Sequence, residues 1–195
     1  MTATLRRLRE STEPLTDAQL IASVAREDLH ALGVLFDRHH RRIERVLLRT
    51  GTSSNDVDDV VQATFMEIPK IAGGYDGRDS CAAWLCGVAV RLASRRRRSM
   101  TRLLRMLVNF GAETPREFTI DPEADASARQ EIALFAESLA RLAPKKREAF
   151  VLVEVEGFTA EEVARSLGVN AATIRTRLFH ARAELRAAMP REVTK

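Results

Sequence analysis

The stretch TAEEVARSLGVNAATIRTRLFHARAEL, residues 159–185, decides the fold of the second half of this chain. Thr159 and Glu162 form a capping box, in which each side chain accepts a hydrogen bond from the other residue's backbone N–H at a helix start. Gly168 then ends this short helix, and Asn170 is placed to cap a longer one. A short helix, a turn containing glycine and a longer helix together predict a helix-turn-helix unit.

The longer helix separates a core stripe from a face that a partner can reach. At about 100° per residue, the apolar stripe consists of Ile174, Leu178, Ala181 and Leu185. Phe179 lies roughly 140° away from this stripe. In a major groove, a phenyl ring can meet a thymine methyl and arginine can pair with guanine. Alternatively, Phe179 packs on another element and the arginines form a solvated face. The expected base contacts are Arg175, Thr176, Phe179 and His180, and the expected phosphate contacts are Arg177 and Arg182.

The rest of the chain has helical periodicity, with no alternating runs joined by hairpin residues, and this predicts an all-α fold. Thr16 and Gln19 form a capping box for a first helix. A second helix runs from about residue 29 to 49 and is stopped by Gly51, and a third should end at Pro69. Glycines and aspartates then predict a loop up to residue 80, followed by a largely apolar helix over about 80–98.

The chain is expected to form two small helical domains joined by a flexible linker. Residues 111–127, GAETPREFTIDPEADAS, are acidic, contain two prolines and lack apolar periodicity, as is typical of a linker. The predicted boundaries are 14–98 for the first domain, 99–126 for the linker and 127–190 for the second domain.

Charge and composition narrow the class of protein. The 195 residues carry a net charge of +4 with a pI of about 9.6, and arginines are concentrated at 91–105 and 175–191. Such patches favour an acidic polymer or surface as partner. The N-terminus lacks the apolar core of a signal peptide, and no stretch approaches the ~20 apolar residues of a membrane span, so we expect a cytoplasmic protein. Cys81 and Cys86, five residues apart, match no metal or redox motif and are expected to be reduced, packed thiols.

Three stretches resemble a known family. DVDDVVQATFMEI (56–68) and AWLCGVAVRLASRRRR (83–98) resemble region two of the sigma-70 family, the bacterial transcription initiation factors. LARLAPKKREAFVLVEVEGFTAEEVARSLGVNAATIRTRLFHARAELR (139–186) is similar to region four of that family. With only a short linker between them, the whole resembles an extracytoplasmic-function sigma factor. Core RNA polymerase and promoter DNA are the partners that this resemblance implies, and it also suggests an anti-sigma factor.

The resemblance implies a polymerase-binding motif on the third helix. Asp59, Gln62 and Phe65 match the positions that dock on the clamp helices of core polymerase. Phe65 is also a candidate for packing inside the domain. This chain has Ala63 where the family commonly has glutamate, so a weaker or redistributed affinity for core polymerase is expected.

The resemblance also implies a site for the melted minus-ten strand. In the family, the helix that carries the Trp-Leu pair, here Trp84 and Leu85, acts with the loop before it to hold a flipped base. Trp84 itself, in so apolar a helix, is expected to pack in the core. Arg91 stands where relatives usually carry asparagine, and Gly87 where many carry arginine. The implied DNA contacts here are Tyr75 in loop 73–80, Arg91 and, on the phosphate backbone, Arg95, Arg96, Arg97 and Arg98.

Two other classes of protein fit the sequence less well. An ordinary helix-turn-helix regulator would bind duplex DNA without polymerase, as a symmetric dimer, but no heptad seam supports a dimer. An enzyme is rejected because the histidines lack metal-ligand spacing and no phosphate loop, nucleophile elbow or paired carboxylates are evident. His39 is expected to be a boundary residue on the apolar face of the second helix. We therefore expect no catalytic residue, no cofactor and no metal.

Overall fold

The computed structural model describes residues 15–107 and 126–188, with side chains over 15–102 and 132–188. Within these ranges the chain is helical and contains no β-strand, so the all-α prediction is confirmed. Residues 108–125, most of the predicted linker, lie outside the described residues. The α-helices are α1 (Asp17–Val24), α2 (Leu29–Arg49), α3 (Ser54–Ile71), α4 (Cys81–Leu107), α5 (Ala126–Arg141), α6 (Pro144–Phe150), α7 (Ala160–Leu167) and α8 (Ala171–Ala188).

Three helix starts follow directly from their capping side chains. The Thr16 hydroxyl accepts from the backbone N–H of Gln19, whose side chain accepts from the N–H of Thr16 at 2.8 Å. The same reciprocal pair joins Thr159 and Glu162 at α7. At α8, Asn170 Oδ1 accepts from the second helical N–H at 2.8 Å. The three predicted starts are confirmed.

The predicted stop of the third helix at Pro69 is wrong. α3 continues to Ile71 and then tightens into a 3₁₀ turn at Ala72–Gly74. Pro69 removes one i→i−4 hydrogen bond, to the Phe65 carbonyl, and only two helical residues follow it. The N–H of Ala72 still reaches the Ile68 carbonyl, so the helix closes normally after the proline.

The predicted end of the fourth helix at residue 98 is also wrong. α4 is a single helix of 27 residues that reaches Leu107. Residues 88–107 contain neither glycine nor proline, so nothing in the sequence interrupts the helix. The predicted boundary between the first domain and the linker therefore falls inside a continuous helix.

Proline and glycine residues mark helix boundaries in the second half. Pro144 begins α6, where its missing N–H is not needed. The helix then widens into a π-helical turn over Val151–Val155. Gly157 and Gly168, with φ of 77° and 67°, follow this turn and α7 in the left-handed region that glycine favours. The predicted glycine stop at Gly168 is confirmed.

The apolar cores of the two halves are continuous. α4 is central and packs against α2, α3 and α7. Leu85 of α4, Leu152 and Ile174 of α8 are fully buried in one cluster that draws on both halves. The four residues of the predicted α8 stripe are all buried. The two small helical regions are confirmed, but their hydrophobic cores meet instead of standing apart. A second, smaller cluster contains Leu139, Leu142, Val151, Ala181 and Leu185.

Candidate nucleic-acid and polymerase interface

The outward face of α8 carries the side chains predicted to read bases. Phe179 is 69% exposed, away from the buried stripe, and its ring meets that of His180 edge-on at a centroid distance of 5.5 Å. Arg175 and Thr176 are exposed on the same helix. Among the residues that the structure describes, no aromatic partner other than the adjacent His180 meets Phe179. The helix therefore presents a phenyl ring and polar groups together to solvent.

The arginines of α8 differ in exposure, because two are exposed and form ion pairs whereas a third is half-buried. Arg175 pairs with Glu161 of α7, and Arg182 pairs with Glu154. Exposed ion pairs contribute only about 0–1 kcal/mol, so an anionic partner can replace these glutamates at little cost. Arg177 is half-buried and faces the junction between the two halves.

The arginine run of α4 also divides into two groups. The exposed members are Arg95, Arg96 and Arg98. Arg97 is half-buried and donates to Glu148 of α6 at 3.2 Å. Arg91 donates to the carbonyl of Ser166 of α7, and burial together with nearby Arg95 lowers the pKa of Arg91. Two of the five predicted DNA-contacting arginines are thus engaged with the second half of the chain.

α4 and α7 approach each other closely at Gly87. A Cβ placed there would overlap the Ser166 side chain and lie 3.0 Å from the Ser166 carbonyl oxygen. Glycine is the residue that fits this approach without displacing a neighbour. Gly87 and Arg91, which depart from the pattern of the family that the sequence resembles, are one turn apart and both lie against Ser166.

Two glutamates of the second half, with side chains no more than 6% exposed, pair with arginines of the first half. The side chain of Glu148 is 1% exposed; it accepts from Ser94 Oγ at 2.7 Å and from Arg97, and Lys145 adds an ion pair at 2.9 Å. A buried charge without partners is costly, so Glu148 requires these groups. The sequence could not reveal these contacts, because Ser94 and Glu148 are separated by 54 residues.

The second of these glutamates is Glu156. Arg42 of α2 binds it at 2.8 Å and Arg49 at 3.2 Å. The guanidinium of Arg42 also lies 4.7 Å from the ring centre of Phe158, in cation–π geometry. This cluster fastens α2 to the turn that precedes α7.

A third contact joins the loop before α4 to α7. Asp79 pairs with Arg165, and the Ser80 N–H donates to Glu162 Oε1 at 3.0 Å. Partial burial opposes ionisation of Glu162, but the hydrogen bonds from Ser80 and Thr159 outweigh it and lower the pKa of Glu162. The two halves therefore form a closed unit held at several points.

A cationic cleft of about 270 Å³ opens at the junction between α4 and α8. It brings predicted DNA-binding arginines of both halves to one place. The charged residues that line it are Arg91, Arg95, Arg98, Lys145, Arg177 and Glu148.

An aromatic pair lies at the loop predicted to hold the melted strand. The Tyr75 hydroxyl donates to the Asp79 carbonyl at 2.6 Å, and its ring centre is 5.3 Å from that of Trp84. Trp84 is partly buried against the core, as expected for so apolar a helix. Burial, with Cys81 and Asp79 nearby, raises the pKa of Tyr75.

The predicted polymerase motif is split between two faces of α3. Asp59 and Gln62 are exposed. Phe65 is 5% exposed and packs edge-on against Phe36, with ring centres 4.9 Å apart. Met66, 66% exposed and four residues beyond Gln62, joins the outward face. Met66 is not among the predicted site residues, although its i+4 spacing from Gln62 places the two side chains on one face of the helix.

Two family models and several known proteins are similar to this chain. The family models for "Sigma-70 region 2" and "Sigma-70, region 4" match residues 35–103 and 132–185. The ECF RNA polymerase sigma factor SigM of Mycobacterium tuberculosis is 32% identical over 171 residues, covering 87% of this chain and 83% of that protein. The RNA polymerase sigma factor NccH of Alcaligenes xylosoxydans xylosoxydans is 32% identical over 183 residues, covering 90% and 96%.

Solved structures agree on the fold. CnrH in complex with the cytosolic domain of CnrY superposes with a TM-score of 0.61 at 27% identity, covering 88% of this chain and 95% of that one. The sigma factor RpoE of Bartonella quintana, in complex with the anti-sigma factor NepR, gives a TM-score of 0.69 at 18% identity over 84% and 98%, a likeness of fold alone.

The chain belongs to the sigma-70 family, in its extracytoplasmic-function (ECF) group. Proteins of this group direct transcription initiation by RNA polymerase. The first half is its region two and the second half its region four. No helix in the described ranges has the length and apolarity needed to cross a bilayer.

Proposed function

We propose that this sigma factor divides promoter recognition between its two regions. Region two binds core RNA polymerase and captures the melted minus-ten strand, while region four reads the minus-thirty-five duplex. The observation that supports this most strongly is Phe179, a large apolar side chain 69% exposed on a cationic helix whose opposite face is fully buried. Such a side chain gains most when a groove removes it from water.

Region four contacts the duplex through the outward face of α8. Arg175, Thr176, Phe179 and His180 meet base edges, because they occupy the N-terminal and middle turns that enter a major groove. The phosphate contacts are Arg177 and Arg182. The glutamates now paired with Arg175 and Arg182 are released when the DNA takes their place.

Region two contacts the separated strand along α4 and the preceding loop. Tyr75 lies at the loop that holds a flipped base, and the phosphate backbone follows the cationic end of the helix. The contacts proposed here are Tyr75, Arg91, Arg95, Arg96, Arg97 and Arg98. Arg91 and Arg97 first have to leave Ser166 and Glu148.

Polymerase docks on the exposed face of α3. Asp59 and Gln62 make direct contacts, and Met66 adds apolar area beside them. Phe65 contributes to docking indirectly, because its packing on Phe36 inside the domain fixes the position of α3. The chain itself catalyses no reaction and works in the cytoplasm, where the polymerase is.

Promoter binding requires the two regions to separate. Minus-ten and minus-thirty-five elements are about 25 base pairs apart, which is roughly 85 Å at about 3.4 Å per base pair. Gly87 of region two lies directly against Ser166 of region four. A compact chain of 195 residues has a radius of gyration of roughly 16 Å, so the closed unit is too short to reach both elements. CnrH and RpoE were solved with CnrY and with the anti-sigma factor NepR, and we propose that an anti-sigma factor likewise binds this chain.

Phe179→Ala tests the central assignment. In holoenzyme assembled with core polymerase, the variant should bind a promoter selected from genomic DNA about 5- to 150-fold more weakly, corresponding to about 1–3 kcal/mol. Its affinity for core polymerase, measured by fluorescence anisotropy, should be unchanged. The matched control is Leu29→Ala, which removes another exposed apolar side chain far along the chain from α8. Equal loss of core binding and promoter binding would mean that Phe179 is structural.

A further inference from the structure

Three metal-ligating side chains from three helices meet at one edge of region two. Asp17 is the first residue of α1, His39 lies in the middle of α2, and Cys81 is the first residue of α4. One donor atom from each lies within 4.8 Å of the other two. His39 and Cys81 are buried, whereas Asp17 is half-exposed.

We propose that Asp17, His39 and Cys81 bind a divalent transition metal ion of the zinc class. The three protein ligands would be one carboxylate oxygen, one imidazole nitrogen and one thiolate sulfur. Water would occupy a fourth position on the open side next to Asp17. This donor set is one that zinc accepts, whereas magnesium and calcium require oxygen ligands.

The spacing of the donors suits a tetrahedral ion. Metal bonds of about 2.0–2.3 Å place ligand atoms about 3.3–3.6 Å apart. His39 Nε2 and Asp17 Oδ2 are 2.7 Å apart and would separate slightly, while the donors at up to 4.8 Å would draw together. These shifts are on the order of 1 Å and need no rearrangement of the helices.

Asp17 is already held for this role by Arg38. Arg38 Nη1 donates to Asp17 Oδ1 at 2.8 Å and to the Leu15 carbonyl at 2.8 Å. This leaves Asp17 Oδ2 directed at His39 and available to a metal. Partial burial opposes ionisation of Asp17, but the hydrogen bonds from Arg38 and His39 outweigh it and lower the pKa of Asp17. Partners of this kind orient a metal ligand.

Cys81 supplies the third ligand once it loses its proton. Burial, with Asp17 nearby, raises the pKa of Cys81 to about 12, so the thiol is protonated in the metal-free chain. On binding, the S–H bond of Cys81 breaks, a sulfur–metal bond forms and the proton passes to solvent. The hydrogen that His39 Nε2 shares with Asp17 Oδ2 also leaves Nε2 through solvent, so that the neutral ring keeps its hydrogen on Nδ1 and Nε2 binds the metal in place of that hydrogen bond. The two positive charges of the ion balance the carboxylate and the thiolate.

The sequence could not indicate this site, because its ligands lie far apart along the chain. Metal motifs are recognised by short spacings on one helix or loop, and these three residues belong to three helices. A bound ion would join α1 to the start of α4, directly after the loop that carries Tyr75. It should therefore stabilise region two.

Cobalt(II) provides the direct test. The purified full chain, treated with a chelator and then dialysed, is titrated with Co²⁺ and followed by absorption spectroscopy. One equivalent should give the visible bands of a tetrahedral ion and a near-ultraviolet thiolate-to-cobalt band. Cys81→Ser should abolish the thiolate band, while Cys86→Ser is the matched control because Cys86 is buried on the same helix outside the cluster.

Zinc affinity provides a second measurement, on a variant whose side chain changes less. Asp17→Asn changes a half-exposed side chain and should preserve the fold, as circular dichroism would verify. Its zinc affinity, from competition with a chromogenic chelator, should fall by at least about tenfold. Added Zn²⁺ should raise the thermal midpoint of the wild type more than that of Asp17→Asn. The proposal is overturned if the wild type shows no thiolate–cobalt band, if the band survives Cys81→Ser, or if Asp17→Asn binds zinc as tightly as the wild type.

Discussion

Replacing Gly87 with alanine should separate the two regions without unfolding region two. The added methyl would overlap Ser166 and lie 3.0 Å from its carbonyl oxygen. Overpacking of this kind costs about 1–3 kcal/mol, and here only in the closed state. Alanine also favours a helix by about 1 kcal/mol over glycine, but that gain is equal in the closed and open states. The ratio of closed to open molecules should therefore fall about 5- to 150-fold.

Spin labels can measure this shift. Labels on cysteines introduced at the exposed positions Asp58 and Ala183 report the distance between the regions by pulsed electron resonance. Burial raises the pKa of both native thiols, Cys81 and Cys86, to about 12, so they should react slowly with the label.

Gly33→Ala is the matched control for this experiment. Gly33 is also a helical glycine, in α2, and a Cβ there would meet nothing within 4 Å. Gly33→Ala should keep the wild-type distances, whereas Gly87→Ala should shift the distribution to longer ones. An unchanged distribution in Gly87→Ala would refute the view that the contact at Ser166 limits how the regions pack.

Two further predictions concern the glutamates of region four. Glu148→Ala should lower the free energy of unfolding in urea by about 1–3 kcal/mol, because Ser94 and Arg97 lose their acceptor; the exposed Glu137→Ala should change it little. The lowered pKa of Glu162 means that its stabilising contribution is complete above the ordinary value of 4.5 and is lost as pH falls through the lowered value. Glu162→Gln should therefore reduce the loss of thermal stability on acidification below about pH 4.5, and an identical acid profile would contradict this.

The features that sequence predicted correctly depend on neighbours a few residues apart. The capping boxes at Thr16 and Thr159, the stop at Gly168 and the buried stripe of α8 each follow from short-range hydrogen bonding or helical period. The helix end predicted at Pro69 was wrong because the cost of a proline depends on its position within the helix. The sequence does not give that position.

The contacts between the two regions could not be predicted from residues that are close together in the sequence. Gly87 and Arg91 stand out in the sequence only as departures from the family pattern. Their common contact, Ser166, lies 75 residues beyond Arg91, and the partners of Glu156 are 107 and 114 residues away. Contacts of this kind depend on how helices pack, which local periodicity does not encode.

The candidate sites show the same limit. The exposed face of α8 was predictable, because the rotation of about 100° per residue fixes both the buried stripe and the residues opposite it. Phe65 and Gln62 share one helix and one motif, yet one is buried and the other exposed. The cluster of Asp17, His39 and Cys81 joins three helices, so no spacing pattern could have indicated it.

Run-off transcription with purified core polymerase tests the division of labour most directly. On a promoter selected from genomic DNA, with any inhibitory partner absent, the chain should produce a specific transcript that core polymerase alone does not make. The Phe179→Ala holoenzyme should lose most of that transcript while the chain still binds core polymerase. A chain that shows no affinity for core polymerase at low salt, or that only represses transcription, would contradict the account.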